Sequence, residues 1–293
     1  MRVLLLGQRG QVGSELAPLF ETEHEVLAPT RSELDLAAKG AASAFISRSR
    51  PALVINAAAM TDVDAAERQP ELAERINAIA VREIAEACST AEAALVHLST
   101  DFVFPGTSAR PYVEGDETGP VNAYGRSKLA GEIAALEACE RSIVLRTSWV
   151  QSLRRPCFVT RMIERLRTSD VALAADDQVG SPTAAADLSR AIRDVVAAVG
   201  DPRDGFRRSA GLYHAAGDGA ATRLQLTEAI LRLHPERAAF RAASVVGRPA
   251  ASFVTEAPRP LYTALDCGAL EQAFGVRLPP WQDGIARMLA GGS

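Results

Sequence analysis

Tyr124 and Lys128 stand four residues apart in Tyr124-Gly125-Arg126-Ser127-Lys128, a spacing that puts a phenol and an ammonium on one face of a helix, about one turn apart. A phenol with its ordinary pKa of ~10 is a sluggish proton donor or acceptor near neutrality unless a nearby cation stabilises its phenolate. Lys128 can supply that charge while also bonding a cofactor ribose. The pair predicts proton transfer to a substrate oxygen, although Tyr-x-x-x-Lys also occurs on plain solvated helices. Upstream, the apolar run Leu95-Val96-His97-Leu98 ends in Ser99-Thr100-Asp101. The carboxyl ends of parallel strands line a ligand crevice, so Thr100 would present a hydroxyl beside the phenol and help to orient the proton. An isolated Ser-Thr-Asp is otherwise a helix cap or turn.

A second constellation opens the chain. Gly7-Gln8-Arg9-Gly10-Gln11-Val12-Gly13 follows a strand-like run and leads into a helical one, with glycines three apart. The first glycine permits the tight turn, the second lets a pyrophosphate approach backbone N–H groups, and the third lets helix and strand pack closely. A Gly-rich turn without a ligand is the plainer reading. Its place at the head of a strand and helix series favours nucleotide binding. After the second strand, where a carboxylate selects NADH by holding both ribose hydroxyls, the chain reads Pro29-Thr30-Arg31-Ser32. Arg31 could hold a 2′-phosphate and leans the site toward NADPH. Glu33 and Asp35 keep NADH open, and a solvated loop arginine is an equally good account of Arg31.

These residues need a scaffold. The first half alternates short Leu-rich or β-branched runs with segments of helical period, the pattern of βαβ units. Strands are predicted over Arg2–Leu6, Glu25–Pro29, Leu53–Ala57, Ala94–Ser99 and Ser142–Arg146, with helices after each of the first four. Their near-continuous hydrophobicity suits a parallel sheet covered on both faces. Helical segments include Gln11–Phe20, Pro70–Cys88 and Tyr124–Cys139. Beyond Val150 the texture changes at Arg154-Arg155-Pro156, and a smaller lobe begins. The expectation is a nucleotide-binding sheet domain over 1–150 and mainly a substrate lobe over 151–293, with segments near 184–215 able to return to the sheet.

Composition excludes several classes. The chain has 293 residues, 47% hydrophobic and 23% charged, which is ordinary globular usage and argues against disorder. Lys+Arg 32 against Asp+Glu 36 gives a net charge of −4, so no nucleic-acid partner is expected. No apolar run approaches the ~20 residues that cross a bilayer, and the short run Val3–Leu6 is no secretion signal, so neither membrane association nor export is expected. Cys88, Cys139, Cys157 and Cys267 are far apart with no metal-ligand spacing, which fits a reducing cytoplasmic compartment. The histidines His24, His97, His214 and His234 are scattered and fit core or surface roles better than ligation.

Together the motifs resemble the dTDP-4-dehydrorhamnose reductase family within the extended short-chain dehydrogenases/reductases. The resemblance is carried by the glycine turn, Asn56-Ala57-Ala58-Ala59 with Thr61-Asp62-Val63-Asp64, Ser99 through Gly106, and Tyr124 through Glu132. It continues in Arg146-Thr147-Ser148-Trp149-Val150, Asp177 through Thr183, and later Tyr213-His214, Arg259-Pro260 and Trp281. It implies a Rossmann-type doubly wound parallel sheet with a smaller C-terminal α/β substrate-binding lobe. It also implies NAD(P)H-dependent reduction of the C4 ketone of dTDP-6-deoxy-L-lyxo-4-hexulose to dTDP-L-rhamnose. In that reading Tyr124 donates the proton, Lys128 lowers its pKa and binds the ribose, and Thr100 assists. Gly7, Gly10, Gln11 and Val12 would meet the pyrophosphate, Asp35 and Leu36 the adenosine end, and Ala57, Ala58 and Ala59 the middle of the cofactor. Thr61, Val63, Asp101 and Trp149 would line the sugar-nucleotide site beside Thr100 and Tyr124; for Trp149 an ordinary packed aromatic is the alternative.

Departures mark the substrate side. Where the family commonly has Tyr, a Gly-containing turn and Asn-Phe after Trp149-Val150, this chain has Gln151, Ser152-Leu153-Arg154-Arg155-Pro156 and Cys157-Phe158. A reductase or epimerase of another nucleotide-linked 4-keto sugar is therefore the alternative activity, and a catalytically silent NADP-binding subunit the alternative class. Retention of Thr100, Tyr124 and Lys128 together argues against silence. Some relatives hold Mg²⁺ through glutamates at a dimer interface; Glu15 fits that pattern, but Asp187 replaces a glutamate and Ala290-Gly291-Gly292-Ser293 offers no carboxylate. No bound metal is expected, and a homodimer is compatible with the resemblance.

Overall fold

The computed structural model describes residues 1–291. Gly292 and Ser293, the end of the tail that offers no carboxylate side chain to a metal, lie outside the described residues.

The central sheet follows from two-residue alternation in apolar strands. In β1 (Arg2–Leu6), Val3 and Leu5 enter one core cluster while Leu4 and Leu6 enter another on the opposite face. In β3 (Leu53–Asn56), Leu53 and Ile55 join the first cluster and Val54 the second. Successive side chains point to opposite faces of a strand, so a run that is apolar at every position requires a layer of helices on each side. The helices α1 (Gly13–Glu21) and α8 (Ala185–Val199) supply the first layer, with Leu16, Phe20, Leu188, Ile192 and Val195. The second is supplied by α2 (Ala41–Ser49) and α5 (Ala80–Thr90), with Ile46, Val81, Ile84 and Cys88.

Six strands run parallel in the order β2 (Glu25–Leu27), β1, β3, β4 (Ala94–Thr100), β5 (Ser142–Thr147) and the strand Gly211–His214. The chain winds one way from β1 to β2 and the other way from β1 through β3 onward. That reversal opens a crevice at the carboxyl ends of β1 and β3. With α8 and the strand Gly211–His214, residues 185–214 return to the sheet after the chain has entered the second lobe. The second lobe has its own cluster, built from α7 (Phe158–Thr168) and the helices Arg223–Leu233 and Trp281–Leu289. Beside them the strands Val171–Ala175 and Ser244–Arg248 pair in parallel.

Most element ends fall within two residues of the sequence expectation, and two departures have a physical reason. Strand β2 ends at Leu27, because Pro29 has no N–H to continue the ladder. The single helix expected over Pro70–Cys88 is divided into α4 (Pro70–Glu74), a π-helical turn Arg75–Ile79, and α5. The turn carries Asn77, which is fully buried and whose amide bonds both the N–H and the carbonyl of Met60 at 2.8 and 3.1 Å. A side chain that must close onto a loop rather than face the next turn makes a one-residue bulge worthwhile, and such bulges recur at functional sites. Between β3 and α4 lies the short helix α3 (Val63–Arg68), capped by Asp62. The remaining long helix beside the sheet is α6 (Ala123–Ala138).

Candidate active site

Strand β4 delivers Thr100 to the crevice, where the chain turns into a single 3-10 turn over Asp101–Val103. The Thr100 hydroxyl accepts from Phe102 N at 3.2 Å and donates to Asp101 Oδ1 at 3.1 Å. Helix α6 starts against this turn. Its cap Asn122 accepts from Gly125 N at 2.8 Å, and a Cβ on Gly125 would fall 2.2 Å from the Phe102 carbonyl oxygen. Only glycine allows that approach, and it brings Tyr124 edge-on to Phe102 with 5.8 Å between ring centroids. Tyr124 shares its small apolar cluster with Phe102, Ala66 and Ala73, against which Met60 and Val63 pack. Burial pushes the phenol up to about 12; the Thr100 hydroxyl pulls it down, and the Asp101 carboxylate pushes it up. At neutral pH the phenol therefore keeps its proton, the state required of an acid.

Asp101 is itself buried and accepts from Ser148 Oγ at 2.8 Å and from Thr263 Oγ1 on the second lobe. Burial raises its carboxyl to about 6 against the opposing pull of the Thr263, Ser148 and Thr100 hydroxyls.

One turn along α6, Lys128 is 2% exposed and donates to the Leu98 carbonyl at 2.6 Å, with His97 Nε2 at 3.3 Å. Burial lowers it to about 8, with Glu132 holding it up. Glu132 in turn accepts from Nε and Nη2 of Arg146, at 2.9 and 2.7 Å. Lys128 thus leans on the strand beneath it, and the phenol feels burial, Thr100 and Asp101.

At the other end of the crevice lies a cavity of about 640 Å³ whose walls include Gly7, Gly10, Arg31, Asp35, Leu36 and Ala58. Ala59, Arg9 and Thr30 also face it. The glycine turn fits a dinucleotide. Gly7 has φ +87°, and a Cβ there would meet the Ala57 and Ala58 backbone at 2.7 Å; a Cβ on Gly13 would lie 2.1 Å from Gly7 O. Gln11 Oε1 is buried beside this turn without a hydrogen-bond partner. Arg31 Nε, largely exposed, sits 3.6 Å from Oδ1 of the half-buried Asp35, whereas Glu33 folds back to accept from Thr30 N at 2.7 Å. The cationic edge therefore faces the cavity mouth with one carboxylate turned away.

The expected residues divide by position. Gly7, Gly10, Arg31, Asp35, Leu36, Ala58 and Ala59 share the cavity. Ala57 packs on the first core cluster, as does the buried Val12, whose carbonyl accepts from Ser189 Oγ. Thr61 is exposed just before α3, and Val63 begins that helix. Trp149, at φ +44°, belongs to the second-lobe cluster, with the Arg223 guanidinium 3.4 Å from its ring centroid. Of the carboxylates considered for a metal, Glu15 pairs with Arg154 at 2.7 Å, and Asp187 with Arg190 and Arg287.

Sequence reasoning missed three residues here. Asn77 ties the Met60 loop to α6 through Ser127 Oγ at 3.0 Å. Arg223 stacks between Trp149 and Phe158, its Nη1 buried without a partner. His97 bonds Asn56 Nδ2 at 3.1 Å through Nδ1 while Nε2 faces Lys128. A histidine inside the otherwise apolar run of residues 94–98 was the visible signal for the last; its partners lie 41 and 31 residues away.

Comparison with known proteins places this geometry. The chain matches the family described as the RmlD substrate binding domain over residues 1–292. It is 35% identical over 289 residues to the dTDP-4-dehydrorhamnose reductase of Sinorhizobium fredii, covering 99% of this chain and 97% of that one. Its fold is similar to the crystal structure of a dTDP-4-dehydrorhamnose reductase from Clostridium acetobutylicum, with TM-score 0.90, 30% identity and 99% of each chain covered. It is equally similar to the Bacillus anthracis enzyme solved in complex with NADP, with TM-score 0.89, 30% identity and 99% of each chain covered.

Proposed function

We propose, because the chain belongs to the dTDP-4-dehydrorhamnose reductase family, that it reduces the C4 ketone of dTDP-6-deoxy-L-lyxo-4-hexulose to dTDP-L-rhamnose with NADPH. The observation that carries the reading is the meeting of Thr100 and Tyr124 at the end of β4, in the same crevice as a cavity shaped by Gly7 and Gly10. NADPH, when bound, supplies the hydride. The remaining chemistry is one proton to the ketone oxygen, and a phenol held protonated by burial is placed to give it. Thr100, by turning its hydroxyl away from Asp101 Oδ1, would offer the same oxygen a second hydrogen bond. Lys128 contacts the ribose and, when charged, makes the phenol a better acid.

Gly7, Gly10, Gln11 and Val12 would meet the pyrophosphate, Val12 through its backbone because its side chain is buried in the core. Arg31 would take the 2′-phosphate, Asp35 and Leu36 the adenosine end, and Ala57, Ala58 and Ala59 the middle of the cofactor. Thr61, Val63, Asp101 and Trp149 would hold the sugar nucleotide, with residues 151–293 mainly a substrate-binding lobe beside the 1–150 domain. The four cysteines are unpaired, which supports a reducing compartment. No helix among the described residues is long and apolar enough to cross a membrane.

A different 4-keto sugar is the second reading. It is favoured by the Arg223 stack on Trp149 and by the tight loop in which Ser152 Oγ accepts from Arg154 N at 3.1 Å. The test is cofactor oxidation: the protein is incubated with NADPH and a panel of nucleotide-linked 4-keto sugars. Turnover greatest with the dTDP-linked 6-deoxy-L-lyxo sugar supports the first reading. Preference for another sugar replaces it with the second, and no oxidation with any would overturn both.

A further inference from the structure

Asn56, His97 and Lys128 form a buried chain across β3, β4 and α6, and each is at most 2% exposed. The donors and acceptors in it can be counted. Ala58 N donates to Asn56 Oδ1 at 3.1 Å, which leaves Asn56 Nδ2 to donate to His97 Nδ1, also at 3.1 Å. A neutral imidazole has one N–H and one acceptor nitrogen, so with Nδ1 accepting, the hydrogen sits on Nε2. That N–H faces Lys128 Nζ at 3.3 Å, and Nζ already donates to the Leu98 carbonyl at 2.6 Å. Only an amine, with a lone pair, completes this arrangement.

An ammonium reverses it. With no lone pair on Nζ, Nε2 must accept, the histidine hydrogen must sit on Nδ1, and Asn56 must turn Oδ1 toward it. The Ala58 N–H, on the loop that lines the cofactor cavity, then loses its partner. One proton enters the site and the imidazole stays neutral throughout.

We infer that His97 is a positioning residue for Lys128: its hydrogen moves between Nε2 and Nδ1 as Lys128 passes between amine and ammonium, and the Asn56 amide turns to match. The surroundings leave no competing charge. On the neighbouring strands His97 is flanked by Asn56 and Val144, and α6 contributes Lys128 with Glu132 behind it, neutralised by Arg146. Burial holds the imidazole well below its ordinary range, so it does not charge in place of the lysine. The lysine at about 8 makes both states accessible near neutrality.

The inference deepens the proposed role of Lys128, yet it is tested without substrate or cofactor, so a failed reductase assay leaves it standing. Imidazole ¹⁵N chemical shifts of the full-length protein report the tautomer of each of its 4 histidines. The His97 signals are identified by their loss in His97→Gln. The expected result is conversion from the Nδ1–H form to the Nε2–H form as pH rises, with its midpoint near the Lys128 value of about 8. Lys128→Met should abolish the conversion. Asn56→Asp, which offers an acceptor to both Ala58 N and Nδ1–H, should hold the Nδ1–H form at every pH. A single tautomer from acid to alkaline pH in the wild-type protein, or an unaltered conversion in Lys128→Met, would overturn it.

Discussion

Ser148 Oγ lies 2.8 Å from Asp101 Oδ2, so the loop after β5 is fastened to the loop after β4 through a buried carboxylate. Thr263, from the second lobe, donates to that same oxygen. Three segments distant in sequence therefore converge on the residue next to Thr100. Their joint effect is to hold a negative charge near the phenol, where it opposes release of the proton.

Tyr124→Phe removes only the hydroxyl from a ring that packs edge-on against Phe102, so fold and cofactor site should persist. Turnover should fall by at least the ~10²-fold typical of a lost general acid. Titration with NADPH should give an affinity within about twofold of wild type, a change of about 0.4 kcal/mol. Near-normal turnover would remove Tyr124 as the donor.

Asp101→Asn tests the raised carboxyl. A folded-state pKa of about 6, above the ordinary value of 3.8, means that ionisation is disfavoured in the fold. The stability associated with the protonated form is complete below the ordinary value and is lost as pH rises through about 6. Two pKa units correspond to roughly 3 kcal/mol. In urea unfolding, Asp101→Asn relative to wild type should therefore gain by up to roughly 3 kcal/mol between acid and neutral pH. The lost acceptor at one oxygen shifts both ends of the comparison equally. A difference that does not change with pH would mean that Asp101 titrates normally.

How far the sequence could be read depended on range. Strands β1, β3, β4 and β5 were legible because each carries a run of consecutive apolar residues (3–6, 53–55, 94–96 and 143–145), and such runs need helices on both faces. The glycine turn was legible because its reasons are local: Gly13 must pass within reach of Gly7 O. The π-helical turn was not, since its cause is Asn77 reaching back to Met60, and apolar periodicity carries no trace of such a bond. The Lys128 environment was hidden for the same reason. Spacing placed the lysine one turn from the tyrosine, but its partners Leu98 and His97 come from a strand some 30 residues earlier. Local rules find which side chains share a face; tertiary hydrogen bonds decide what those side chains do.

Arg31→Ala addresses cofactor choice. The guanidinium is 77% exposed and pairs weakly with Asp35 at 3.6 Å, so it is free to turn to a phosphate. A charge-assisted bond to a 2′-phosphate, discounted for solvent screening, should be worth about 1.4 kcal/mol, or tenfold in NADPH affinity. NADH, which has no such phosphate, should bind nearly as before. Fluorescence titration with both cofactors checks the point, and equal weakening of the two would reduce Arg31 to a loop residue.

Lys128 gives the sharpest pH test, because its charge and its geometry can be separated. Burial lowers it to about 8, so it is charged below that pH and neutral above it. If the charge assists Tyr124, wild-type kcat/KM should decline as pH rises through about 8, since that ratio reports the free enzyme. Arginine cannot lose its proton in this range, so in Lys128→Arg the decline should move up by at least about one pH unit, toward the titration of the phenol itself. Its level should also be lower, because a planar fork must fit where a compact ammonium sat against the Leu98 carbonyl. Lys128→Met has no charge at any pH; it should be weakly active throughout and show no decline near 8. Circular dichroism on each variant separates lost function from lost fold. A Lys128→Arg profile that declines at the wild-type pH would assign that limb to another group and leave Lys128 as a ribose contact alone.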